Sequence, residues 1–193
     1  MSKLATVLCM LFLAGLAAAQ APTSGNVFFG YSYENSSDST LGGNVSRPNL
    51  QGWEASLEGK IIPHLGIVAD LSGHYGSQGF VTTLAAGNVN GHELEVLFGP
   101  RLSISVGHFT PFAEAMVGLA HINLGGSATS SQTGLVASLS NSNTAFASAF
   151  GGGLDYRLIR HVALRVAGDY VRTQFFSTSQ SDLRLSTGIV LRF

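Results

Sequence analysis

The chain has 193 residues, of which 11% are charged and 24 are glycine, with a formal net charge of −1. An ordinary soluble domain carries roughly a quarter charged residues, so a generously charged surface is excluded, and no basic patch points to nucleic acid. A single cysteine, Cys9, excludes an internal disulfide.

The first element is MSKLATVLCMLFLAGLAAAQA. Lys3 precedes an apolar stretch from Leu4 to Leu16, and small residues stand at Ala17 and Ala19. That is the layout of a secretory signal peptide over residues 1–19, cut after Ala19. Cleavage after Ala21 would leave Pro22 first and is the poorer site. The stretch is short for a spanning helix, and Leu8 before Cys9 disfavours lipid attachment. The mature domain is then 20–193, one domain in length. It keeps nine basic and eleven acidic residues and no thiol. Its apolar residues form no run long enough for a membrane helix.

They alternate instead, as strands do. In GNVFFGYSYE, Val27, Phe29, Tyr31 and Tyr33 oppose Gly30, Ser32 and Glu34. In WEASLEGK, Trp53, Ala55 and Leu57 oppose Glu54, Ser56, Glu58 and Lys60. In HLGIVADLSGHY, Leu65, Ile67, Ala69, Leu71 and Tyr75 oppose Gly66, Asp70, Ser72 and His74. In HELEVLFGPRL, Leu94, Val96, Phe98 and Leu102 oppose Glu93, Glu95, Gly99 and Arg101. A fifth strand sets Ala113, Ala115, Val117 and Leu119 against Glu114, Gly118 and Ala120. A sixth sets Phe146, Phe150, Leu154 and Tyr156 against Gly151, Gly153, Asp155 and Arg157. A seventh sets Val162, Leu164, Val166 and Tyr170 against Arg165, Ala167 and Asp169. The eighth, DLRLSTGIVLRF, sets Leu183, Leu185, Thr187, Ile189, Leu191 and Phe193 against Arg184, Ser186, Gly188, Val190 and Arg192.

Fifteen of the mature chain's charges fall on the Gly/Ser face of these strands: Glu34, Glu54, Glu58, Lys60, Asp70, Glu93, Glu95, Arg101, Glu114, Asp155, Arg157, Arg165, Asp169, Arg184 and Arg192. Asp38, Arg47, Arg160, Arg172 and Asp182 are expected in loops, turns or at a strand end. Two folds suit eight such strands. A lipocalin-like barrel would turn the apolar face inward and the charges to water. A membrane barrel inverts this. The scarcity of charge, the charge-free stretch 123–144 and the aromatics near strand ends (Tyr31, Trp53, Tyr75, Tyr156, Tyr170, Phe193) favour the membrane barrel. In lipid the strands must close, since an open edge leaves backbone groups unsatisfied. The expected fold is all-β, an eight-stranded antiparallel up-and-down transmembrane β-barrel.

Tight turns are expected near Ile62-Pro63-His64, Val106-Gly107-His108 and Ile159-Arg160-His161. Long Ser/Gly/Asn-rich loops are expected at 35–49, 76–91, 123–144 and 173–182. Short turns inside and long loops outside place both termini in the periplasm.

The motifs FFGYSYE, GHYG, LFGPRL, TPFAEAMVGLAH, GGGLDYRL, HVALRVAGDY and LRLSTGIVLRF resemble those of the small outer-membrane β-barrel (porin-family) proteins, which include OmpA-like transmembrane domains and opacity-type proteins. The resemblance covers nearly all of the mature chain. It implies insertion in the cell outer membrane of a Gram-negative-type envelope, among lipid and lipopolysaccharide. It also implies that Phe193, at the end of the closing strand, is read by the barrel-assembly machinery. No periplasmic peptidoglycan-binding domain is expected after the barrel, so the resemblance does not imply an anchoring role.

An eight-stranded barrel is just wide enough for side chains to fill it. Glu54, Glu58, Asp70, Glu93, Glu95, Arg101, Glu114, Asp155, Arg157, Arg165, Asp169 and Arg184 are therefore expected to form a structural charge network across the lumen, because an unpaired buried charge is costly. No catalytic, cofactor or metal site is expected. The histidines are dispersed, with no metal spacing. Neither His74 and Ser77 nor His121 and Ser127 has the two-residue spacing of an outer-membrane lipid deacylase. Gly151-Gly152-Gly153 precedes no helix and is no phosphate cradle. The function expected is structural or surface-interacting, through loops whose ligand the sequence does not name. A narrow channel for small solutes or ions and a lipid-modifying enzyme are the alternatives.

Overall fold

The computed structural model describes residues 24–36, 49–81, 85–130, 133, 136–175 and 178–193. The expected signal peptide, 1–19, and the charges Asp38 and Arg47 lie outside them. Eight strands follow in order: β1 (Gly25–Ser36), β2 (Leu50–Ile62), β3 (Leu65–Val81), β4 (Ala85–Ser103), β5 (Phe109–Ser130), β6 (Val136–Ile159), β7 (Val162–Phe175) and β8 (Thr178–Arg192). Each pairs antiparallel with its neighbours and β8 returns to β1, closing an up-and-down barrel. Closure is completed below the last β1–β8 pair, where Gly25 and Phe193 each donate a backbone N–H to the other's carbonyl oxygen at 3.1 Å.

The alternation of the sequence becomes the two faces of the wall. Phe29, Leu57, Phe98, Leu119, Phe150, Val166 and Leu191 point outward and are exposed. A belt this continuous around a molecule far exceeds the apolar patch a soluble monomer exposes. The residues of opposite parity point into the lumen and are buried, charges included. This is the membrane partition, apolar out and polar in. No helix among the described residues is long and apolar enough to cross a membrane; the crossing is made by strands.

Three expectations are corrected. The stretches 76–91, 123–144 and 173–182 are mostly strand: β3 and β4 pair as far as Val81 and Ala86, β5 and β6 as far as Thr129 and Val136, and β7 and β8 as far as Phe175 and Thr178. With 22 and 24 residues, β5 and β6 are about twice the 9–11 residues a tilted strand needs to cross. Their outer ends are held by backbone pairing. Glycine, serine and asparagine crowd these segments and break the alternation, so they read as loops. Second, Asp182 is no loop residue: it lies in β8 on the lumen side and is buried. Third, the lumen is not uniformly polar. Phe28, Val68, Leu97, Met116, Val171 and Val190 are fully buried there, on the same parity as the charges.

The inner turns are as short as expected. Each is stapled to the next hairpin by the backbone of its histidine. The His64, His108 and His161 carbonyls accept the N–H groups of Ser103, Arg157 and Arg192 at 2.8 Å. The Nδ1 of His64 and of His161 also lies 3.3 and 3.1 Å from the carbonyl oxygens of Ser103 and Arg192. Gly107, with φ of +62°, adopts the left-handed turn conformation that favours glycine.

Candidate functional site

Two polar layers cross the lumen. In the outer one Arg184, fully buried on β8, reaches four other strands. Its Nη1 donates to Asp70 Oδ1 (3.1 Å) and Ser72 Oγ (3.1 Å) on β3 and to Glu95 Oε2 (3.2 Å) on β4. Its Nη2 and Nε donate to Asp169 Oδ2 on β7 at 3.0 and 3.3 Å. Glu54 Oε2 on β2 is 3.8 Å from Nε. Asp169 stands opposite Arg184 in the β7–β8 register, and Gly151 opposite Asp169 on β6 leaves its carboxylate room. Four carboxylates thus converge on one guanidinium. Glu54 Oε2, Glu95 Oε1 and Asp169 Oδ1 retain no hydrogen-bond partner. Among the described residues no group of His, Cys, Asp and Glu is placed to hold a metal ion.

The inner layer holds two arginines. Arg101 on β4 donates from Nε to Glu114 Oε2 on β5 (2.7 Å) and from Nη1 to Glu58 Oε2 on β2 (3.3 Å). Arg165 on β7 clasps Asp155 on β6 through Nε (2.7 Å) and Nη2 (3.1 Å), and Nη2 also meets Asn26 Oδ1 on β1 (3.3 Å). The Phe112 ring lies 4.6 Å from both guanidinium carbons, and Phe28 lies 5.1 Å from that of Arg165. A desolvated cation over an aromatic face gains about 2 kcal/mol, so these rings replace some of the lost hydration. Arg165, Gly188 and Gly30 share one rung. A Cβ at Gly30 would sit 2.6 Å from Phe28 Cζ, so the glycine makes room for the ring.

Below this layer lies a polar cavity of about 270 Å³ at the inner mouth, flanked by Lys60, Arg192 and Phe193. Lys60 Nζ contacts Glu58 Oε1 at 2.6 Å and bonds to Ser103 Oγ. Arg192 Nη2 donates to Asp155 Oδ2 at 3.1 Å.

Of the residues singled out in the sequence, Glu54, Asp70, Glu95, Asp169 and Arg184 meet in the outer layer, and Glu58, Arg101, Glu114, Asp155 and Arg165 in the inner one. Glu93 is buried on the same face. Arg157 is not brought to the network: at the inner rim its Nη2 donates to the Gly107 carbonyl at 2.9 Å.

One arrangement has no trace in local spacing. His74 on β3 lies 2.9 Å through Nε2 from Ser32 Oγ on β1, and 3.3 Å through Nδ1 from Glu34 Oε2, with all three buried. Gly52 of β2 lies between Ser32 and His74 in the register and lets the imidazole reach across. The order hydroxyl–imidazole–carboxylate is that of an activated serine. The Glu34–His74 pair is close but not aligned as a hydrogen bond, and Ser32 has no exposed surface.

A family model described as outer membrane protein beta-barrel domain matches residues 5–193. No curated protein matches the sequence. Among solved structures, the attachment invasion locus protein Ail of Yersinia pestis is 15% identical, with a TM-score of 0.55 over 88% of this chain and 99% of Ail. Neisserial surface protein A is 13% identical, with a TM-score of 0.53 over 88% of this chain and 96% of its own. The outer membrane protease OmpT of Escherichia coli is 10% identical, with a TM-score of 0.51 over 89% and 97%. At these identities the likeness is one of fold.

Proposed function

Given that the chain belongs to the outer-membrane β-barrel family and is a protein of the cell outer membrane, we propose that it is a non-conducting, non-enzymatic barrel whose work is structural and surface-interacting. The observation that carries this reading is the cross-bracing of the lumen. A single buried guanidinium, Arg184, contacts side chains of β2, β3, β4 and β7, and an Arg–Phe layer lies beneath it. Side chains that fill a lumen and pair within it leave no continuous path for solutes. What projects outward is the paired sheet of β3 to β6, with Ser127 bonded to Asn88 at 2.8 Å and Thr144 to His121 at 2.7 Å. Such a sheet offers backbone edges and uncharged amides and hydroxyls to a partner outside the cell.

The surrounding partners in this reading are outer-membrane lipid and lipopolysaccharide, with the barrel-assembly machinery acting on the Phe193 end during insertion. Ail is named for attachment and invasion; that supports a surface role here without naming a ligand. Liposome-swelling assays with small sugars test the reading. The protein should give swelling no faster than empty liposomes, and sugar entry at porin-like rates would overturn it.

The Ser32–His74–Glu34 arrangement favours a second reading, a hydrolytic or lipid-modifying enzyme. It ranks second because the hydroxyl is fully buried and the imidazole–carboxylate contact is misaligned. A fluorophosphonate probe, which labels activated serines, separates the two. Labelling that disappears in Ser32→Ala and His74→Ala would put the enzyme first.

A further inference from the structure

We propose that the cavity at the inner mouth is a binding site for a small oxyanion, a carboxylate or phosphate group, presented from the periplasmic side. Unused hydrogen-bond donors mark the site. The cavity is lined by four cations, Lys60, Arg101, Arg165 and Arg192, against two side-chain carboxylates, Glu58 and Asp155. Phe193 lines the same cavity, and its backbone oxygen accepts from Gly25. Arg101 is matched by Glu114, outside the lining, at 2.6 Å, so net charge does not distinguish the site.

The side-chain acceptors are mostly occupied, Glu58 Oε1 being the one oxygen of Glu58 and Asp155 without an aligned hydrogen bond. Glu58 Oε2 takes Asn26 Nδ2 at 2.7 Å and Arg101 Nη1 at 3.3 Å, and its Oε1 faces Lys60. Asp155 Oδ1 takes Arg165 Nε, and its Oδ2 takes Arg165 Nη2 and Arg192 Nη2. The donors are not. A guanidinium has five N–H groups and an ammonium three. Arg165 directs Nε and Nη2 to Asp155 and Asn26, and Nη1 has no partner although the side chain is 2% exposed. Lys60 engages Glu58 and Ser103 and keeps one N–H. Arg192 donates through Nη2 to Asp155 and is partly exposed. A buried charged donor left unsatisfied is costly, so a species that only accepts is the complement of this lining. Carboxylates and phosphates are acceptors only when ionised, and arginine forks suit them. The volume is at the small end for ligand pockets, which fits a headgroup-sized anion and not a long chain. Phe112 lines the inner end of the cavity, so the ligand would enter from below and bind without passing through the barrel.

The test uses the protein refolded in detergent micelles. Backbone amide spectra are followed during titration with inorganic phosphate, sodium acetate and, at matched ionic strength, choline chloride. Phosphate and acetate should give saturable shifts confined to the inner mouth, at Gly25, Asn26, Thr110 and Phe193, and choline none. The rim variant Lys60→Met/Arg192→Gln should bind about tenfold more weakly or worse, having lost a charge-assisted hydrogen bond. Glu58→Gln, which releases Lys60 from its carboxylate, should bind more tightly. Each variant should still shift its gel mobility on boiling. A response to choline equal to that of phosphate, shifts that never saturate, or undiminished affinity in the rim variant would overturn the proposal.

Discussion

Arg184 and Asp70 are 114 residues apart in the chain and meet at 3.1 Å in the middle of the lumen. The same guanidinium holds Glu95 and Asp169. Arg184→Ala would leave these acids buried around an empty site. Removing one partner of a buried ion pair costs about 3–5 kcal/mol when the site is dry, and less where water enters. The urea midpoint of the variant should fall well below that of the wild type. An unchanged midpoint would mean that the outer lumen is hydrated enough to be indifferent to its arginine.

The opposite substitution should be mild. Four carboxylates share Arg184, so neutralising one relieves like-charge repulsion in a medium of low dielectric constant. Glu95→Gln retains an oxygen that can accept from Ser72 and Arg184, as Glu95 Oε2 does. Its midpoint should lie within about 1 kcal/mol of wild type or above it, in line with the small net gain of a typical hydrogen bond. A loss as large as that of Arg184→Ala would show that every carboxylate is needed.

Val166 and Ala167 are neighbours on β7 with opposite fates: Val166 is 63% exposed and Ala167 6%. Val166→Arg puts a charge on the lipid face at a cost of roughly 2–4 kcal/mol near mid-bilayer. Leu71→Arg should behave alike. Ala167→Ser instead sets a hydroxyl opposite Ser186, whose own hydroxyl has no partner, and should cost little. Folding yields in vesicles, read from the mobility shift on boiling, rank the variants. Equal losses at Val166 and Ala167 would reverse the assignment of faces.

Phe112 contacts both inner arginines. Phe112→Ala removes a buried ring, at about 3–5 kcal/mol, and unstacks two cations. Phe112→Leu keeps apolar volume but no π face, so the gap between the two variants measures packing against cation–π attraction. Urea midpoints resolve it. If Leu and Ala are equally damaging, the aromatic face matters more than volume.

Much of this fold was legible because a barrel wall writes itself as a two-residue period. Val162, Leu164 and Val166 announce the lipid side, and Arg165, Ala167 and Asp169 the lumen. The ends of β3 to β6 were not legible, since glycine, serine and asparagine there break the alternation. Phe28 was not either. It shares parity with Ser32 and Glu34, and only the rung of Gly30 and Gly188 beside it shows why an aromatic fits in the lumen. The pairing of Arg184 with Asp70, Glu95 and Asp169 depends on strand stagger, which alternation does not fix. The Ser32–His74 contact joins residues 42 positions apart, beyond any local motif. Arg157 shows the limit of parity near strand ends: it shares the lumen parity of Asp155 yet donates at the rim to the Gly107 carbonyl.

The central claim is that the lumen is a braced plug and not a pore, and single-channel recording in a planar bilayer tests it most directly. Protein that shifts on boiling, and is therefore folded, should show no steady conductance across the bilayer. Stable, discrete openings of the wild type whose size changes in Arg184→Ala would contradict the account.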